Sequence, residues 1–109
     1  MDIKDICSRI YEIALPYCEK SEAPIAYISV VQGKLCARSP KELYEAFNAF
    51  KWNTPLASSE LEITKTQNDV FLQVDYIIEF EDDSGKAVAH SVPFEKGSIS
   101  EDIGCTPSV

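Results

Sequence analysis

The chain has 109 residues, enough for one domain with a single core, and 45% of them are apolar, which argues against disorder. Its formal net charge is −8, so neither a cationic groove for nucleic acid nor a basic patch for an anionic membrane is expected. The four cysteines are widely spaced without a CxxC pair, and no metal site or cofactor is predicted. With no recognisable signal peptide or membrane span, we expect a cytoplasmic protein with reduced thiols.

The N-terminal segment predicts an amphipathic helix. Asp2 is the predicted N-cap, and apolar side chains recur every three or four residues over 3–17. Pro16 predicts that the helix kinks or ends near Leu15. Cys7 lies in the apolar stripe and is interpreted as a small buried core residue, with a reactive thiol as the alternative.

A short strand and a second helix follow. The run AYISVV at 26–31 predicts a strand, and 34–38 is a candidate returning strand after Gly33. The run Ser39-Pro40-Lys41-Glu42 combines an N-cap serine, a proline at the first helical position and a glutamate at the third. The sequence therefore predicts that the second helix begins at Ser39 and ends before Pro55.

The strongest pattern is VFLQVDYIIEFE at 70–81, which alternates over twelve residues. Strict alternation predicts a half-buried strand, with Tyr76 and Ile78 among the residues that face the core. A two-residue turn at Asn68-Asp69 would pair the segment 60–66 with this strand in an antiparallel hairpin. That register places Glu62 directly opposite Asp75 on the outer face.

The next turn has two alternatives. A four-residue loop, 82–85, puts Ala87, Ala89 and Ser91 inside, whereas a three-residue loop, 83–85, puts Val88, His90, Val92 and Phe94 inside. We favour the second, because it gives Gly85 the left-handed position and buries the larger apolar set. His90 then lies inside, opposite Ile78 and diagonal to Tyr76. Residues 101–109 are predicted to be a flexible C-terminal tail.

Two candidate sites follow from this arrangement. The outer face is either a solvated surface that resists aggregation or a site for a basic protein partner, with two apolar anchors set among carboxylates. On the inner face, His90 and Tyr76 are either satisfied core residues or the polar groups of a ligand pocket. The predicted partner-binding residues are Glu60, Glu62, Phe71, Asp75, Ile77, Glu79 and Glu81.

The order of helix, short strand, the helix RSPKELYEAFNAF and then LEITKTQNDVFLQVDYIIEFEDDSGKAVAHSVPFEKGSISE resembles the NTF2-like superfamily. The resemblance implies helices covering a strongly curved sheet, in a cone with a central pocket. It also implies partner or small-ligand binding, often in dimers formed through the outer sheet face. Val92 stands where isomerases of the family need an acid, so isomerase chemistry is not implied.

We therefore expect a single α+β domain over 1–109, with two helices packed on a curved antiparallel sheet. The leading hypothesis is a small acidic non-enzymatic binding protein, of the inhibitor, immunity or accessory type, that docks a basic protein surface through its outer sheet face. A homodimer is the other partner hypothesis. The alternative function is an NTF2-like pocket protein that binds or converts a small apolar ligand.

Overall fold

A computed structural model describes residues 2–21, 23–80 and 85–100 of the chain. Within them it confirms the predicted α+β class. The predicted tail, 101–109, lies outside the described residues, as does most of the predicted loop at 82–85. The elements are α1 (Ile3–Lys20), β1 (Ile25–Gln32), α2 (Pro40–Phe50), β2 (Glu60–Lys65), β3 (Leu72–Glu79), β4 (Ala89–Ser91), α3 (Phe94–Gly97) and β5 (Ser98–Ile99).

Both long helices begin where their capping residues predict. The Asp2 side chain accepts a hydrogen bond from the Lys4 amide at 3.4 Å, and the Ser39 hydroxyl accepts one from the Glu42 amide at 3.1 Å. Of the two alternatives for Pro16, an end of α1 near Leu15 is wrong, because the helix continues through Pro16 to Lys20, and a kink there stays a prediction. Proline lacks an amide proton, so it forgoes its bond to the carbonyl four residues earlier without ending the helix.

In the described part of the chain, five strands form a mixed sheet with the order β2-β1-β3-β4, and β5 pairs with β3. Strand β1 is parallel to β2 and antiparallel to β3. The predicted hairpin between 60–66 and 70–81 is therefore wrong, since β1 lies between the two strands. The parallel pair needs a long crossover, which the segment containing α2 provides. The candidate returning strand at 34–38 is not part of the sheet.

Helices α1 and α2 pack on one face of the sheet, which we call the covered face. Its β1 and β3 side chains, Ile28, Val30, Val74 and Ile77, join one core cluster with Phe47 and other helical residues. The opposite side is the open face. Register places two rows of side chains there: Glu60, Tyr27, Ile78 and Ala89 in one, and Glu62, Ser29, Tyr76 and Ser91 in the other.

Strand β3 carries one extra residue relative to β1. Val74 pairs with Val30 and Tyr76 pairs with Ser29, which leaves Asp75 without a partner on β1. Such a β-bulge reverses the faces of all residues that follow it. Strict alternation over 70–81 is therefore wrong beyond Asp75.

Candidate functional site

The two predicted apolar anchors are not on the surface. Phe71 is 5% exposed and Ile77 is fully buried, and both belong to the hydrophobic core. The predicted exposure of these residues is wrong: the bulge turns Ile77 to the covered face, and Phe71 precedes β3 in a segment that packs into the core. Neither side chain can anchor a partner without unfolding the core.

The bulge brings a different set of apolar side chains to the open face. Tyr76, Phe80 and Tyr27 are 45%, 43% and 42% exposed, and Ile78 is half-buried directly opposite Tyr27. Tyr76 and Tyr27 are diagonal neighbours on adjacent strands, close enough for aromatic side chains to contact. We call Tyr27, Tyr76, Ile78 and Phe80 the open-face patch. The sequence prediction missed Tyr27. Because alternate residues of a strand face opposite sides, its position between the buried residues Ala26 and Ile28 indicates that it faces away from the core.

Two of the predicted carboxylates lie beside this patch. Glu60 and Glu62 are exposed on the edge strand β2, in register with Tyr27 and Ser29 of β1. The Tyr44 hydroxyl donates a hydrogen bond to Glu60, and this bond raises the pKa of the Tyr44 phenol. Tyr44 belongs to α2, so the hydrogen bond links the helix to the edge of the sheet and holds the Glu60 side chain in place.

The other predicted carboxylates do not join them. Asp75 lies in the bulge rather than opposite Glu62, and its Oδ1 atom is buried without a hydrogen-bond partner. Glu79 is buried on the covered face, because it follows the bulge at Asp75, which exchanges the two faces of β3. Glu81 lies outside the described residues. Of the predicted carboxylates that the structure describes, Glu60 and Glu62 on β2 are the two on the open face.

His90 lies on the covered face, but its neighbours differ from the prediction. It pairs with Ile77 instead of Ile78, and its Nε2 atom is 2.5 Å from Oε2 of Glu79. Tyr76 is on the opposite face, so the predicted pair of Tyr76 and His90 cannot line one pocket. The ring of Tyr17 lies near His90, with 6.1 Å between ring centroids.

The sequence predicted the correct face for His90 although it predicted the wrong partner. Two one-residue errors, one in the pairing of β3 with β4 and one in the alternation of β3, explain this. The pairing of β3 with β4 is shifted by one residue from the three-residue loop register, and the bulge reverses the face of β3. The two shifts cancel for His90 and for buried Val92, whereas Val88 and Phe94 are exposed. Gly85 has the predicted left-handed conformation, with φ of 78°.

A histidine held by a buried carboxylate can serve as an oriented proton-transfer group. Among the described residues, no hydroxyl or thiol group forms a hydrogen bond with His90. The described geometry thus provides a positioned imidazole without a neighbouring nucleophile. The contact of His90 with Glu79 links β4 to β3 on the covered face.

The described cysteines have the properties of core residues. Cys7 is buried, and burial raises the pKa of its thiol to about 11. Burial, followed by the nearby Glu19, also raises the pKa of Cys18. The interpretation of Cys7 as a buried core residue is confirmed. Over 2–21, 23–80 and 85–100, no cluster of three or more His, Cys, Asp and Glu side chains could hold a metal ion.

Comparisons with protein-family models, with curated proteins and with solved structures found no match to this chain. In the part of the chain that the structure describes, no helix combines the length and the apolar character needed to cross a membrane.

Proposed function

We propose that this protein is a small acidic, non-enzymatic binding protein of the cytoplasm that docks a basic protein surface through its open face. The observation that carries the proposal is the open-face patch, where three aromatic side chains are more than 40% exposed and one of them, Tyr27, pairs with Glu60 of the edge strand. An inhibitor, an immunity protein or an accessory subunit would work in this way.

The layout of the open face matches that of a protein interface. Tyr27 and Tyr76 come from β1 and β3, the two central strands of the sheet order, and therefore lie near the middle of the open face. Aromatic residues near the centre of an interface carry much of the binding energy, and polar residues at the rim add orientation. Glu60 and Glu62 on the edge strand β2 would form such a rim.

Charge favours a basic partner over a second copy of this chain. The chain has a formal net charge of −8, and two open faces brought together would also bring their Glu60 and Glu62 side chains into one interface. Like charges at an interface oppose association, whereas a Lys- and Arg-rich partner would be attracted by both carboxylates. Homodimerisation is the competing outcome of the experiment below.

The experiment is affinity capture with four immobilised proteins, followed by rebinding of each captured protein in purified form. The wild type is compared with two open-face variants. Tyr76→Ser removes an aromatic anchor, and Glu60→Lys/Glu62→Lys reverses the charge of the rim. The matched control is Glu19→Lys/Glu45→Lys, which changes the net charge equally at exposed helical positions. We expect a basic protein to bind the wild type and the control, and to bind both open-face variants at least about tenfold more weakly.

Three outcomes would contradict the proposal. The first is capture that the control lowers as much as the rim variant, which would indicate general attraction to an acidic protein. The second is capture that is unaffected by either open-face variant. The third is a concentration-dependent dimer in sedimentation that Tyr76→Ser dissociates, which would assign the open face to self-association.

The NTF2-like resemblance stays a prediction, and with it the alternative of a pocket for a small apolar ligand. Its two predicted polar groups, Tyr76 and His90, are on opposite faces of the sheet. We therefore place that alternative second to docking.

A further inference from the structure

A cleft of about 350 Å³ lies between α1 and the segment formed by β4 and α3, away from the open-face patch. One wall is a stripe of α1 that includes Ile13, Pro16 and Tyr17, spaced so that they share one side of the helix. The other wall is provided by Val92 and Lys96. The volume is within the range of small-molecule sites.

The cleft has a cationic lining on an acidic protein. Three of the ten Lys and Arg residues of the chain line it, Arg9, Lys20 and Lys96, against the single carboxylate of Glu12. At physiological ionic strength the screening length is about 8 Å, so these nearby cations outweigh distant acidic residues in the field that a bound group experiences. The lining therefore favours an anion.

The three cations are weakly paired or unpaired, so their charge can act on a ligand. Nη1 of Arg9 is 3.6 Å from Oε1 of Glu12, too long for a strong hydrogen bond, and the Arg9 side chain is 43% exposed. Among residues 2–21, 23–80 and 85–100, neither Lys20 nor Lys96 forms an ion pair. A guanidinium group presents five donors in a fork that suits a carboxylate, so Arg9 is the best-suited of the three to hold one.

The rest of the lining is apolar and includes an aromatic ring. Tyr17 lies beside the ring of His90, while Ile13, Pro16 and Val92 supply aliphatic surface. Arg9 and Lys20 are eleven residues apart, about 16 Å along the helix axis, so one carboxylate cannot bridge them. The space between them suits the apolar body of a ligand whose acid group lies at Arg9.

We propose that this cleft binds a small organic anion, a carboxylate with a flat apolar body, with the acid group at Arg9 and the body against Ile13, Tyr17 and Val92. The test uses 2-naphthoate as the probe in ¹⁵N-resolved NMR titrations of the full chain near neutral pH. We expect shifts at the amides of those three residues and a Kd of about 1 mM or tighter, the affinity of a ligand of this size.

Three comparisons test the position of the acid group. The neutral 2-naphthamide has nearly the same shape, and we expect it to bind about tenfold more weakly or worse. Arg9→Met keeps the apolar stem of the side chain, and it should weaken 2-naphthoate to the level of the amide. Lys41→Met removes one exposed cation from α2 and serves as the matched control, with no change expected.

Equal affinity of the acid and the amide in the wild type would overturn the proposal, and this comparison does not depend on whether any variant folds. An absence of shifts up to about 5 mM probe would overturn it too. So would shifts confined to the apolar hollow between α1 and α2, near Cys7 and Phe50, because binding there would have no use for Arg9.

Discussion

Ile77 and Ile78 are adjacent and identical in type, yet they serve different regions of the molecule. Ile77 is fully buried on the covered face, between Ile28 of β1 and His90 of β4. Ile78 lies on the open face, between Tyr27 and Ala89. The face of each is set by the unpaired Asp75, since one extra residue in a strand exchanges the two faces. The same exchange removes Glu79 from the predicted binding surface and adds Tyr76 to it.

The largest expected effect tests the difference between Ile77 and Ile78 directly. Ile77→Ala should lower the free energy of unfolding by about 2–5 kcal/mol, because it removes buried contacts and leaves a cavity. Ile78→Ala should lower it by less than about 1 kcal/mol, since the open face lets water fill the space. Urea denaturation of both variants gives the two values. If Ile78→Ala were the more destabilising variant, strict alternation would hold and the open-face patch would not exist.

Local chemistry explains what the sequence could predict. The caps at Asp2 and Ser39 act within one helical turn, so their effect is readable from neighbouring residues. The α+β class and the extent of β1 follow from periodicity within short windows. Gly85 has the conformation that its residue type favours.

Long-range pairing explains what could not be predicted. A two-residue turn at Asn68-Asp69 was a reasonable local solution, but the parallel pairing of β1 with β2 depends on a crossover through α2, for which no short window carries a signal. The bulge could not be predicted either. Ile77 and Ile78 are equally apolar, so the sequence does not indicate which of the two faces the core. Glu79 is a charged residue that alternation placed in solvent, and it is buried beside His90, a partner from another strand.

A second prediction sharpens the comparison by testing how dry the core beneath the covered face is. The buried Cys7 thiol has a pKa of about 11, above its ordinary value of 9.0. Between these values the unfolded chain loses the thiol proton and the folded chain keeps it, so the free energy of unfolding falls as the pH rises. The loss from this group is at most about 1.4 kcal/mol per pH unit.

The measurement compares urea denaturation at about pH 8 and pH 10 for the wild type and Cys7→Ala. Other titrating groups affect both proteins, so the difference between them isolates Cys7. We expect the wild type to lose more stability than the variant, and Cys18→Ala, at a half-buried position, to resemble the wild type more closely. Parallel pH profiles for the wild type and Cys7→Ala would indicate that water reaches this part of the core.

A third expected effect, of similar size, concerns the carboxylate that the bulge places on the covered face. Glu79 is buried and His90 is its hydrogen-bonding partner. His90→Ala leaves this carboxylate buried without its partner, which costs more than removing both side chains together. The double variant Glu79→Ala/His90→Ala should therefore be more stable than the sum of the single changes implies, with a coupling energy of about 1–2 kcal/mol.

The matched pair at the edge of the sheet is Tyr44 with Glu60, which also joins a carboxylate to a hydrogen-bond donor from another element. Glu60 is exposed, so water can replace either partner, and the cycle of Tyr44→Phe with Glu60→Gln should give a smaller coupling energy. Denaturant titration of both cycles measures the contrast. If the coupling at Glu60 matched that at Glu79, burial would not be what distinguishes the two carboxylates. Glu60 would then be a structural residue of the edge strand, and Glu62 alone would remain as the acidic rim of the open face.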